Sequence, residues 1–267
     1  MQAASLPAIS GWQWIREGLQ LFLKQPLAMF TWAMLIGLFV LFAAFTLPIG
    51  PLLLPALMPA VSLMTLAACK HIEAGRVMLP SMWPKPLQRP GVFKKLSVMG
   101  LLYAGACLAA EIIAVLPFSD SVMRGMTLAA NTQDLGPLLD AMQHPMLLFT
   151  VLYVPIAAVF WHAPVLVAWH GLRMTQALFF SGVACWRNKW GFLVYGMAWA
   201  LIFLFIDLCA GLLVTAGLPS SFVTTLQIPV NLATGGVLYC SFYPAYTSVF
   251  GVNDTTPGFD NRDSAHA

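Results

Sequence analysis

From Gln25 to Cys69 the chain runs without a single Asp, Glu, Lys or Arg. A membrane-crossing helix needs about 20 predominantly apolar residues. The run between Lys24 and Lys70 is therefore too long for one crossing and right for two. The break falls at "LPIGP", residues 47 to 51, where a glycine and two prolines favour a turn. Water is excluded as the solvent for the whole chain. Apolar residues make up 60% of it and charged residues 9%, whereas soluble domains carry about 25% charge.

The same reading extends along the chain. Leu96 to Pro117 is interrupted only by Glu111, and Pro145 to Trp169 carries no charge. Between Trp190 and Asn253 the only charge is Asp207, with a break at "GLPSS", residues 217 to 221. The expectation is an all-α, polytopic membrane protein with six transmembrane helices in three hairpins. The spans fall at about 26–47, 51–69, 96–117, 145–169, 190–216 and 223–250. Continuous apolar runs, rather than alternating ones, argue against a β-barrel. Residues 1–9 read as a tail, 10–251 as one membrane domain and 252–267 as a polar, disordered tail. "MQAASLPAIS" has no positive leader region, so no cleaved signal is expected.

Charge orients the bundle. Under six spans, 12 of the 13 Lys and Arg residues fall on one side, and only Arg124 falls on the other. Cytoplasmic loops collect Lys and Arg, so both termini are expected to be cytoplasmic. The basic residues follow no nucleic-acid motif.

"SGWQWIREGLQLFLKQP" precedes the first span. Gln13, Arg16, Glu17, Gln20 and Lys24 form a polar face, and Trp12, Ile15, Leu19 and Phe22 an apolar one. Ser10 and Gln13 fit a capping box. This predicts an amphipathic helix in the membrane interface. "TQALFFSGVACWRNKW" stands in the same position before the fifth span. Four prolines in "PSMWPKPLQRPGVFKK" forbid a regular helix before the third. A proline recurs in the second helix of each hairpin, at Pro59, Pro164 and Pro244.

Ionisable residues inside a bilayer are costly and are functional candidates. Glu111 and Asp207 lie 16 and 18 residues beyond Lys95 and Lys189. At 1.5 Å per residue both sit roughly 24 to 27 Å from the inner surface. Asn231 and Gln227 reach a similar depth from outside, so a polar cluster of Glu111, Asp207, Asn231 and Gln227 is geometrically possible. Pro55, Pro59, Pro164 and Pro244 are candidate helix bends. Pro51, Pro55 and Pro59 share one helical face, which one packed or water-lined groove would serve. His162 and His170 lie on roughly one face, without a third ligand for a metal. Tyr239, Tyr243 and Tyr246 follow helical spacing and read as packing. The five scattered cysteines read as core packing, and no cofactor is expected.

"GWQWIREGLQLFLKQPLAMF", "WHAPVLVAWHG", "ALFFSGVACWRN" and "YPAYTSVFG" resemble the landmarks of an uncharacterised family of multi-pass inner-membrane proteins, chiefly of β-proteobacteria. The likeness spans roughly residues 10 to 251. It implies a bacterial inner membrane and supplies no catalytic residues. No nucleophile–base order, zinc signature or phosphate loop appears in the chain, so an enzyme is not expected. The leading expectation is a non-enzymatic membrane protein that packs against or assembles with others, as a homo-oligomer or with other membrane proteins. The alternative is a small-solute or proton-linked transporter using Glu111 and Asp207.

Overall fold

The computed structural model describes residues 3–46 and 49–251. Among these, ten α-helices and three short 3-10 turns occur, and no strand. The helices are α1 (Ser10–Lys24), α2 (Pro26–Phe45), α3 (Ile49–Glu73), α4 (Val92–Val115) and α5 (Ser119–Thr132). They continue as α6 (Gly136–Trp161), α7 (Ala163–His170), α8 (Met174–Arg187), α9 (Lys189–Thr215) and α10 (Ser220–Phe250). The expected tail over 252–267 and part of the "LPIGP" turn lie outside the described residues.

Among the described residues, five helical runs are long and apolar enough to cross a bilayer: Pro26–Phe45, Ile49–Glu73, Val92–Thr132, Gly136–His170 and Lys189–Thr215. The helix α10 has 31 residues and is about 46 Å long. Its C-terminal half runs through the core, where Cys240, Ser241, Tyr243 and Tyr246 are buried. It packs on α1, α2, α3 and α9, while α4 packs on α3 and α6. Enclosure there lets α10 carry Ser241, Tyr243 and Tyr246, which a lipid-facing helix would not.

Two expectations about α1 are corrected. Its N-cap is Ile9, with no side-chain cap, so Ser10 and Gln13 form no capping box. The Ser10 and Gln13 N–H groups donate instead to the Pro7 and Ile9 carbonyls. The apolar stripe is also rotated. Trp12 and Leu19 are exposed, whereas Gly11, Trp14, Ile15, Gly18, Leu21 and Phe22 are buried. Trp14 is 1% exposed, and its indole N–H donates to Ser248 Oγ at 2.8 Å. Much of the α1 face read as lipid-facing is packed on α9 and α10 instead.

The proline-rich segment after α3 forms 3-10 turns at Pro80–Met82 and Lys85–Gln88. Gln25, between α1 and α2, anchors it. Its Nε2 donates to the Arg76 carbonyl at 2.6 Å, and its Oε1 accepts from Met78 N–H at 2.8 Å. Trp83 then stacks on Trp32 with centroids 4.0 Å apart. The helix expected to make the fourth crossing, α6, begins at Gly136, and α5 packs back onto it.

Candidate functional site

The most developed site is a groove between α3, α4, α6 and α10. Its inner part is a cavity of about 330 Å³, walled by Pro59 and Ser62 of α3, Tyr103 of α4, Phe160 of α6 and Tyr239 of α10. A second cavity of about 270 Å³ contains Pro51 and Pro55 of α3 and Cys107 and Glu111 of α4. Met58, Tyr103 and Tyr153 line both. The two tyrosine hydroxyls are 2.7 Å apart and hydrogen-bonded, so they stand at the junction.

The proline ladder helps build this groove. Proline has no N–H, so Pro55 and Pro59 each free the carbonyl one turn earlier on the same face. α3 nevertheless runs unbroken from Ile49 to Glu73. In a bilayer such carbonyls need a partner or a wet cavity, and Pro51, Pro55 and Pro59 all line the groove. Tyr103, Cys107 and Glu111 recur every four residues on α4 and supply part of the opposite wall. That spacing was present in the sequence and was the available signal for Tyr103.

Pro164 and Pro244 behave differently from each other. Pro244 lies inside α10, which remains continuous. Pro164 is the second residue of α7, just after a break at His162. In an unbroken helix the His162 N–H would bond to the Ala158 carbonyl. Here Ser181 Oγ of α8 sits between them, accepting from His162 N–H at 3.0 Å and donating to Ala158 O at 2.9 Å. His162 is 1% exposed and its Nε2 has no partner. It lines the inner cavity beside Pro164.

The four candidate polar residues fall in two places. Gln227 Nε2 donates to Asp207 Oδ1 at 2.6 Å, joining α10 to α9. Asn231 is exposed on α10. Glu111 lines the outer cavity among α3, α4 and α6 residues, and Asp207, Gln227 and Asn231 are not among its walls. The amide from the sixth expected span thus meets one acid, and the other faces the proline ladder.

A second polar region ties together the ends of α3, α7 and α10. Tyr243 donates to Glu73 Oε2 at 2.5 Å, and Tyr246 hydrogen-bonds His170 Nε2 at 2.7 Å. These tyrosines are buried but also serve as polar ties, which helical spacing alone does not reveal. Lys70 lies over the Trp169 ring at 5.4 Å. Glu17 of α1 is near enough to Glu73 to feel its charge. Partial burial, then that neighbour, hold its carboxyl above the usual range. Burial pushes the Cys185 thiol on α8 up to about 12, which keeps it protonated and unreactive. Among the described residues, no group of three or more His, Cys, Asp or Glu side chains is placed to hold a metal.

The chain is 33% identical over 261 residues to a probable inner membrane protein of Burkholderia thailandensis. The alignment covers 95% of this chain and 96% of that relative. The chain belongs to that protein's family. Membership places it in the bacterial inner membrane, and the apolar helical runs make it a multi-pass protein in contact with the lipid bilayer. No protein-family model and no solved structure matches it. The family therefore supplies location and topology class, and any reading of activity rests on the groove.

Proposed function

We propose that the chain is a non-enzymatic, solute-binding membrane protein of the transporter class, and that its ligand path is the groove along the proline ladder. The continuity of the two cavities across the Tyr103–Tyr153 pair carries this reading. Cavities of this size between helices suit small molecules. Glu111 marks one end of the path and His162 the other. Asp207, bonded to Gln227, has a structural role in α9–α10 pairing.

The topology belongs to the same proposal. Six crossings, with α10 as the last, put both termini on one side. The Ala4 N–H donates to the Val249 carbonyl at 2.8 Å, so the N-terminal segment meets the end of α10. Asn188 reinforces this by accepting from Leu6 N–H and donating to the Ala4 carbonyl, both at 2.8 Å. The excess of Lys and Arg makes that side cytoplasmic. The outer face of α9, almost none of it buried, is assigned to lipid. A second copy or another membrane protein would use the same face.

Cys107 is a native reporter for the groove. A variant retaining it as the sole cysteine is exposed in membranes to a charged methanethiosulfonate reagent, which reacts with thiolates in water. Modification of Cys107, slowed by Tyr103→Trp at the junction, supports a wet path. A thiol that reacts only after denaturation means a packed or lipid-filled groove and removes the transporter reading.

A further inference from the structure

We propose that the inner cavity is a binding site for a small, neutral, planar aromatic molecule bearing a hydroxyl or N–H group. The inference rests on the solute-binding reading above and names its ligand class.

Charge is the first discriminator. The walls of the inner cavity hold no Asp, Glu, Lys or Arg. A charged solute would lose its hydration there without a countercharge, which costs several kcal/mol or more. Glu111, the acid of the groove, lines only the outer cavity. The bound molecule is therefore neutral.

Size and shape follow from the walls. An apolar cavity of about 150 Å³ holds a benzene molecule. The inner cavity has about 330 Å³, which suits a bicyclic ring. Phe160, Trp161, Tyr239 and Phe242 present aromatic surface to it. Trp161 and Phe242 meet edge to face at 5.1 Å, and Tyr239 and Phe242 at 5.9 Å. Such walls favour a flat guest that stacks or meets ring edges.

Polar recognition comes from hydroxyls left unused by the fold. Other bundle hydroxyls bond within the chain: Thr65 to the Val61 carbonyl and Tyr195 to Ser241. Among the described residues, Ser62 and Tyr239 have no hydrogen-bond partner, and both line the cavity. A hydroxyl in an apolar cavity gains most from a guest that offers a complementary group. A guest N–H or hydroxyl finds partners there in Ser62 and Tyr239, and the unpartnered His162 Nε2 lines the same cavity.

Indole is the probe. Full-length protein in phosphatidylethanolamine–phosphatidylglycerol nanodiscs is dialysed against radiolabelled indole, with empty nanodiscs subtracted. Saturable binding is expected, weakened about five- to tenfold by Tyr239→Phe and by Ser62→Ala, each of which removes one hydrogen bond. Ala157→Phe, which fills the cavity, abolishes it, and Ala157→Val is the milder blocking variant if the first fails to fold. Benzoate, of similar size but charged, does not bind. Absence of saturable indole binding overturns the proposal. So do benzoate binding as well as indole, or indole binding unchanged in all the variants. Cys107 labelling reads the wet path independently, so a dry groove and a wrong ligand class give different results.

Discussion

Ser181 shows how one hydroxyl replaces a missing turn of helix. It occupies the gap between the His162 N–H and the Ala158 carbonyl and satisfies both. Replacing it with alanine strands two backbone groups in a fully buried place. Ser181→Ala is expected to cost about 1–3 kcal/mol, measured as a lower denaturation midpoint in detergent. A neutral result means that the helix recloses on itself. Glu17 gives a pH signature at the same scale. Its carboxyl is held high, first by burial and then by Glu73, so the folded state prefers it protonated. The stability this contributes is fully present below the ordinary carboxylate value. It is lost as pH rises through the raised folded value. Melting in a stable detergent between about pH 4 and pH 7 should show this loss, and Glu17→Gln should flatten it. An unchanged slope in the variant would mean that Glu17 is not held high.

At the scale of elements, glycine decides how α1 docks. A Cβ on Gly18 would lie 2.6 Å from both Cα and Cβ of Ser241 on α10. One on Gly11 would lie 2.2 Å from the Gly191 carbonyl oxygen on α9. Neither neighbour can yield without moving a helix, because backbone atoms form the contact. Gly18→Ala is expected to displace α1 and destabilise by about 1–3 kcal/mol. Gly196 on α9 meets nothing within 4 Å, so Gly196→Ala is the tolerated control. Thermal scans of the two proteins test the contrast, and equal melting points would sink the docking argument. The elements also show where sequence periodicity misleads. The α1 stripe was read through Trp12 and Leu19, yet Trp14, Gly11 and Gly18 are buried. Small residues scarcely register in a hydropathy pattern, and here they fix the contact face.

For the whole molecule, the arrangement of chain ends makes the sharpest prediction. A phosphatase or fluorescent reporter fused after residue 267 should report cytoplasm, and one inserted near residue 130 should report periplasm. A periplasmic signal at the C-terminus would overturn the six-crossing topology. Much of this scale was legible in sequence. Uncharged runs longer than a bilayer is thick leave helices as the economical way to satisfy backbone groups in lipid. Residue counts alone thus called for long apolar helices, and among the described residues five runs are long and apolar enough to cross a bilayer. The groove was partly legible, since Pro51, Pro55 and Pro59 had to share a face and required partners there. Which helices supplied the opposite wall was not. Residue counts assign Glu111, Asp207, Gln227 and Asn231 a similar depth, but depth is one coordinate of three, and the angular position of a helix is set by its packing neighbours. The tertiary structure turned Asp207 toward Gln227 and Glu111 toward the proline ladder. The bilayer dictates where along its normal a residue sits, and sequence carries that information. Close packing between helices dictates which residues meet, and that was decided by shape complementarity among small side chains distant in the chain.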